Sequence, residues 1–338
     1  FTSWIPGIEE VVEIWNEENP DIQVKVQTGP NGNSGTYQNF FNQIAAGNAP
    51  DLGQIEYDAL PNFRVQDGIE DLGACEEVVA AEGDFVDWAW GQVSLGTKDS
   101  VYGIPQDIGP MGLFYRADLF EANGIAIPTT WEEYMDAARQ IRELGGYITN
   151  FSQGDINQFA GFVWQGGGEW FANDGSEWTV DFTDEASTTV ADYWQQMIAE
   201  DLVSTVPAWT DEWNNAYIAS GAPDTAGDWR VAALPQWSAG DAEGGNWGGS
   251  SVAVLKGSDY VYEAAKFALW LNTSDEALAA LNASANIYPA ALSGLELPTL
   301  AEGVEFYGDQ AIYDVFAEAA TEVSPDFVWG PTMTQTYA

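Results

Sequence analysis

Four stretches of the chain set carboxylates or carboxamides beside aromatic rings where a strand is about to end or a glycine-rich loop begins. Glu56-Tyr57-Asp58 closes the short apolar run Leu52 to Ile55, which follows the helix-stopping sequence Gly47-Asn48-Ala49-Pro50. Gln106 and Asp107 lie in YGIPQDIGPMGLFYR, Trp164 and Gln165 in FVWQGGGEWF, and Trp247 in GNWGGSS. Indole and phenol faces stack on the apolar C–H face of a sugar ring, while its hydroxyls take planar acceptors and donors such as Asp, Glu and Gln. Such a stack contributes ~1 kcal/mol beyond area burial, and a hydrogen bond to a charged acceptor ~1.5–3 kcal/mol.

The same residues have plainer uses. Glu56 or Asp58 can cap the turn that follows. Trp15 and Trp194 sit on apolar helical faces and read as core, whereas Trp164 and Trp247 fall in glycine-rich loops, where a ligand role competes evenly with packing. Gly166-Gly167-Gly168 lacks the Lys-Ser/Thr ending of a phosphate loop and the spacing of a dinucleotide fingerprint. Asn173-Asp174-Gly175, between Phe171 and Trp178, reads as a hairpin turn, since the remaining ligand positions of a calcium loop do not follow.

Composition removes whole classes of chemistry. With no His, the chain has neither a Ser-His-Asp nor a Cys-His centre, and no His-containing zinc site. Cys75 is alone, so no internal disulfide forms. No cofactor and no metal is expected. The 53 acidic and 9 basic side chains give a net charge of -44, which repels nucleic acid and anionic membrane. So many carboxylates with so few lysines fit solubility in concentrated salt, where the Debye length shrinks to ~3 Å at 1 M. An ordinary acidic secreted protein is the alternative. No run reaches the ~18 apolar residues that cross a bilayer. The 16 Trp, 14 Tyr and 16 Phe exceed what packing alone asks for.

The 338 residues exceed one ordinary core and predict two lobes. Pro6 opens a helix with Ile8, Val11, Val12 and Trp15 on one face, and Ile22, Val24 and Val26 alternate as a strand. Tyr37, Phe40, Phe41 and Ile44 mark a second helix ending at Gly47, and Leu52 to Ile55 the next strand. Thr130-Trp-Glu-Glu133 has the form of a capping box. Val190, Trp194, Met197 and Ile198 mark another helix. A strand in GGSSVAVLKGS, a helix through Ala264, Phe267, Ala268 and Leu271, and a cap at Thr273 to Glu276 complete the pattern. Strand–helix alternation predicts an α/β fold with mostly parallel pairing, its ligands beyond the carboxyl ends of the strands.

Taken together, FFNQIAAGNAPDLGQIEYDALPNF, VYGIPQDIGPMGLFYRADLFEANGI, PTTWEEY, NWGGSSVAVLKGS followed by EAAKFALWLNT, and YPA resemble family 1 extracellular solute-binding proteins. These are the sugar-capturing subunits of ABC importers, similar to the maltose-binding protein, and the likeness spans nearly the whole chain. It implies an α/β, two-lobed, periplasmic-binding-protein-like (type II) fold with a hinge. One lobe would hold residues 1–106 and 250–287, the other 107–249 and 288–338. It also implies polar sugar contacts at Glu56 to Asp58, a carboxylate contact at Asp107, and an aromatic at Phe306 or Tyr307. Two departures stand out. Relatives open with a strand of which Phe1 to Trp4 is only the tail. After WNNAYIASG they carry a further strand and a stacking Trp, whereas here Gly221 runs directly into APDTAGDWRVAALPQW. Neither Trp213 nor Trp229 replaces that Trp without rearrangement, and the reading is that residues are missing from the chain there.

The resulting expectation is a monomeric, non-catalytic cell-surface receptor for a mono- or oligosaccharide, docking on the membrane permease of an ABC importer and lipid-anchored through an upstream segment. Asp107, Asp58, Glu56, Gln106 and Gln165 would grip hydroxyls; Trp164, Trp247, Tyr57, Tyr307 and Trp329 would face the rings. The rival is a secreted glycoside hydrolase with two carboxylates ~5–9.5 Å apart, Asp107 paired with Glu56 or Asp58. An oligopeptide or metal receptor is disfavoured by the absent His. Should the charge be a salt adaptation, dilution from molar to about 0.1 M salt lowers the melting temperature through carboxylate repulsion. A melting temperature flat across that range, followed by circular dichroism, would rule the adaptation out.

Overall fold

The structure is a computed structural model that describes residues 1–151, 155–173, 177–204, 215–331 and 333, with side chains 215–217 excepted. Its strands are β1 (Thr2–Ser3), β2 (Gln27–Thr28), β3 (Leu52–Glu56), β4 (Ile104–Asp107), β5 (Gly112–Arg116), β6 (Phe171–Asn173), β7 (Trp178–Val180), β8 (Trp229–Ala233) and β9 (Ser250–Val254). The first lobe is built on a five-stranded sheet of order β2-β1-β3-β9-β4. β1 runs parallel to β2 and β3, whereas β9 is antiparallel to both β3 and β4. The expectation of mostly parallel pairing therefore fails: β9 re-enters the sheet from the opposite end, and β5–β8 and β6–β7 also pair antiparallel.

Helical faces follow the sequence pattern. Ile8–Glu18 buries Ile8, Val11, Val12 and Trp15, with Trp15 edge-on to Phe267 on the helix Val261–Thr273. Thr36–Ala46 ends where Gly47 adopts φ +69°, a left-handed cap that glycine takes without Cβ strain. The segment Ile22 to Val26 alternates in burial as a strand would, but only Gln27 and Thr28 join the sheet. Its backbone is held by side chains of the preceding helix instead: Trp15 Nε1 donates to Ile22 O, and Asn16 both donates to Val24 O and accepts from Val24 N. At Trp131–Glu143, Thr130 caps the Glu133 amide, while Glu133 reaches back to Thr129 N and Oγ1, one residue earlier than a capping box requires. Ser274 precedes Asp275–Ala285 as expected but makes no side-chain cap.

In the second lobe β5 and β8 pair antiparallel, as do β6 and β7; the predicted turn residues Asp174 and Gly175 lie outside the described residues. From Gly221 the chain passes through one 3-10 turn, Pro223–Thr225, into β8. Trp229 is tied there by Nε1 to Thr225 Oγ1 and lies under the Arg116 guanidinium; Trp213 lies outside the described residues. The aromatic excess has a different use from the one composition suggests. Trp15, Trp88, Trp90, Trp131, Trp164, Trp170, Trp194 and Trp329 are all buried, and Trp131 alone contacts Tyr134, Phe162, Tyr193, Trp194 and Trp237. These eight tryptophans fill one continuous hydrophobic core.

Three segments run side by side where the lobes meet. Ala290 N donates to Gln106 O, Ile108 N to Tyr288 O, Met111 N to Gly245 O, Trp247 N to Gly109 O, and Gly109 N to Asn246 Oδ1. A Cβ on Gly109 would sit 1.9 Å from Trp247 O, so only glycine lets these strands approach. Gly109→Ala should cost about 1–3 kcal/mol by forcing them apart; an unchanged urea midpoint would show that the crossing yields freely.

Candidate functional site

The carboxyl ends of β1, β3 and β4 and the start of antiparallel β9 share one edge of the first sheet, and six of the expected site residues gather there. Glu56 is the last residue of β3, register partner of Ser250. The Tyr37 hydroxyl donates to Glu56 Oε2 at 2.9 Å and accepts from Glu56 N at 2.8 Å, so a phenol from the helix Thr36–Ala46 aims the carboxylate. Burial, then Glu56, then Asp58 push the Tyr37 phenol well above its ordinary range, which keeps it a neutral donor. Asp58 itself is buried.

Asp107 ends β4. Its Oδ1 accepts from Ser250 N at 2.8 Å and from Ser250 Oγ, while Oδ2 takes no hydrogen bond from another residue. Burial pushes this carboxyl above the usual carboxylate range, against the two Ser250 hydrogen bonds that hold it down. Gln106, beside it, is 1% exposed, yet neither Nε2 nor Oε1 finds a hydrogen-bond partner. Buried amides are rarely left so, and the group calls for a water or a ligand. Tyr57 is also buried and its hydroxyl likewise lacks a partner; the Gln106 backbone approaches without a well-directed bond. Its ring is roofed by Gly249, where a Cβ would meet it at 2.6 Å, and by Trp88 edge-on. Tyr57 therefore offers no open face. Trp247 is half-buried in its loop, and Asp155 Oδ1 accepts from its Nε1 at 3.2 Å.

The other four expected residues lie elsewhere. Trp164 is on the last turn of the helix Ile156–Gln165, not in a loop; its ring stacks on Phe327 at 4.4 Å and its Nε1 donates to Ser324 O. Gln165 spends both amide N–H groups on Pro235 O and Glu243 O and accepts from Trp131 Nε1. Both line a cavity of about 410 Å³ with Gln236, Trp237 and Asp241, which shares no residue with the sheet-edge cluster. Tyr307, 1% exposed, packs with Val231, Ile312 and Phe316, and Phe306 covers it. Trp329 is buried against Phe327 and Trp170.

Sequence reading missed several participants. Trp4, half-buried at the end of β1, stands edge-on to Tyr37 at 6.0 Å; its signal was an aromatic at a strand's carboxyl end. Tyr37 read as helix-face core, and Ser250, Gln54, Asn246 and Asp155 carried no local signal at all. Among the described residues no group of three or more carboxylates or thiols is set to hold a metal ion, and no helix is long and apolar enough to cross a membrane.

Two lobes joined by crossing segments, with polar groups converging at that crossing, define a hinged binding protein. Residues 2–278 match the model of the bacterial extracellular solute-binding protein family, and the chain belongs to that family. An arabinooligosaccharide-binding protein of Halalkalibacterium halodurans is 24% identical over an alignment covering 94% of this chain and 76% of that protein. A lactose-binding protein of Rhizobium radiobacter is 27% identical, over 62% of this chain and 56% of its own length. The galacto-N-biose-/lacto-N-biose I-binding protein of a Bifidobacterium longum ABC transporter, solved with lacto-N-biose, superposes with a TM-score of 0.80 at 29% identity, covering 98% of this chain and 84% of that one. An ABC transporter associated binding protein of B. animalis subsp. lactis, in complex with beta-1,6-galactobiose, gives 0.78 at 26% identity, over 99% and 88%.

Tyr37→Phe removes the hydroxyl that serves Glu56 twice. It should lower stability by about 1–3 kcal/mol, the cost of two groups left short of a partner. An unchanged denaturation midpoint would show that the phenol does not hold Glu56.

Proposed function

We propose that the protein is a non-catalytic oligosaccharide receptor of an ABC importer, binding as a monomer outside the cell and delivering its sugar to a membrane permease. The observation that carries this reading is Asp107: a carboxylate at the crossing of the lobes with one oxygen secured by Ser250 and the other open. Around it, Glu56, Asp58 and the unpartnered Gln106 amide would take hydroxyls, and Trp247 with Trp4 would face the ring. The sugar ligands named for the relatives support the substrate class.

The lobes would comprise residues 1–106 with 250–287 and 107–249 with 288–338, divided near the three crossing segments. Sugar held by both lobes biases the hinge toward closure by its differential affinity for the closed form. The charge of -44 is consistent with a protein adapted to high salt.

The test is a calorimetric and thermal-shift panel of lactose, beta-1,6-galactobiose, lacto-N-biose, arabino-oligosaccharides and maltose. Heat release with the sugar recovered intact is expected; new reducing ends would favour the hydrolase reading, and silence across the panel would remove the carbohydrate one. Asp107→Ala should weaken the binding sugar by about 2 kcal/mol or more, a charged acceptor being lost. Because the carboxyl titrates above the usual range and binds sugar as the anion, affinity should fall with falling pH sooner than an ordinary aspartate would predict. Affinity flat through the acid range would exclude Asp107 from the contact.

A further inference from the structure

Four side chains on four neighbouring strands are joined in one line along the sheet edge. Ser3 Oγ on β1 donates to Gln54 Oε1 on β3 at 2.8 Å; Gln54 Nε2 donates to Ser250 Oγ on β9 at 3.2 Å; Ser250 Oγ donates to Asp107 Oδ1 on β4. Ser3, Gln54 and Ser250 are all at most 3% exposed, so water does not compete for these bonds. The direction of every link is dictated by backbone. Trp4 N–H can only donate and points at Gln54 Oε1 at 3.2 Å, which turns the amide's NH2 toward Ser250. Ile5 N–H donates to Ser3 Oγ, leaving the Ser3 proton for Gln54. Ser250 Oγ, already accepting from Gln54, has its one proton for Asp107, and Ser250 N–H adds a second donor to the same oxygen.

We propose that Ser3, Gln54 and Ser250 form a one-way hydrogen-bond chain that positions Asp107 as a pure acceptor, so that whatever docks on Oδ2 must donate a hydroxyl or N–H. The three are positioning residues, and their effect on ligand choice rests on the receptor reading above. The chain explains why a carboxylate in so enclosed a place is presented as an anion at all: without the two Ser250 donors, burial favours the protonated acid, which would itself donate. The groups that face Asp107 do not substitute for them. Tyr57 is pushed well above its ordinary range by burial and by Asp107, so it stays neutral; Glu56, across from Ser250, spends its carboxylate on Tyr37; Pro289, bridging Asp107 from the third crossing segment, does not titrate.

The experiment follows the Asp107 carboxyl by carbon-13 NMR across pH in the ligand-free protein, with Asp107→Asn to assign the resonance. Ser250→Ala removes the last donor hydroxyl; Gln54→Glu sets an acceptor where the chain needs a donor. Either change should raise the Asp107 titration midpoint by about one pH unit or more. An unchanged midpoint in a variant whose circular dichroism matches the parent would overturn the chain, and the second variant serves if the first fails to fold. For the panel sugar that binds the parent, Ser250→Ala should lose more affinity at an acid pH below the parent's Asp107 midpoint than at an alkaline pH well above it. An equal loss at both values would mean that Ser250 merely supports the fold. A parent that binds no panel sugar would sink the carbohydrate reading, while the titration would still decide the chain.

Discussion

Everything at the sheet edge depends on partly burying the Asp107 carboxylate where three chain segments cross. A buried anion is costly unless donors surround it. Ser250 supplies two, both to one oxygen, and no other residue donates to the second. The neighbouring Gln106 amide is in the same condition on both of its polar atoms. At Gln106, buried with both polar atoms unmet, an apolar residue of the same shape would serve the fold at least as well.

The crossing segments make that capacity useful. Gly109 admits the Trp247 carbonyl, and Gly249, at φ +97°, admits the Tyr57 ring; each removes a Cβ that would hold the neighbouring segments apart. Backbone hydrogen bonds then keep the crossings in register. Behind them, Tyr57, Trp88 and Trp164 meet edge-on and Trp164 lies flat on Phe327, an aromatic path from β3 to the C-terminal segment. That path is packing. It steadies the elements beneath the edge, and its rings are not available to a ligand.

Helices were legible from residues such as Ile8, Val11, Val12 and Trp15, because amphipathic spacing is a local property that burial simply realises. Gly47 and the strand after it were equally plain, as was the clustering of Glu56, Asp58, Gln106 and Asp107 near strand ends. Trp164 was misplaced for an identifiable reason: three glycines after Gln165 look like a loop, but the first of them merely closes the helix by donating to Phe162 O. Ile22 to Val26 alternates like a strand and lacks a ladder because Trp15 and Asn16 satisfy its backbone first.

Alone, the sequence determined the exclusions, the two-lobed α/β class and the chemical character of the edge, since these follow from residue types and short-range periodicity. Only the tertiary structure decided which polar groups are spent and which are open. Gln165 and Gln106 are the same residue type beside the same kind of aromatic-rich stretch, yet one is saturated by Trp131, Pro235 and Glu243 and the other is left without a partner. That difference resides in contacts between residues tens of positions apart, Ser250 with Asp107 and Trp4 with Gln54 among them, and no local pattern carries it.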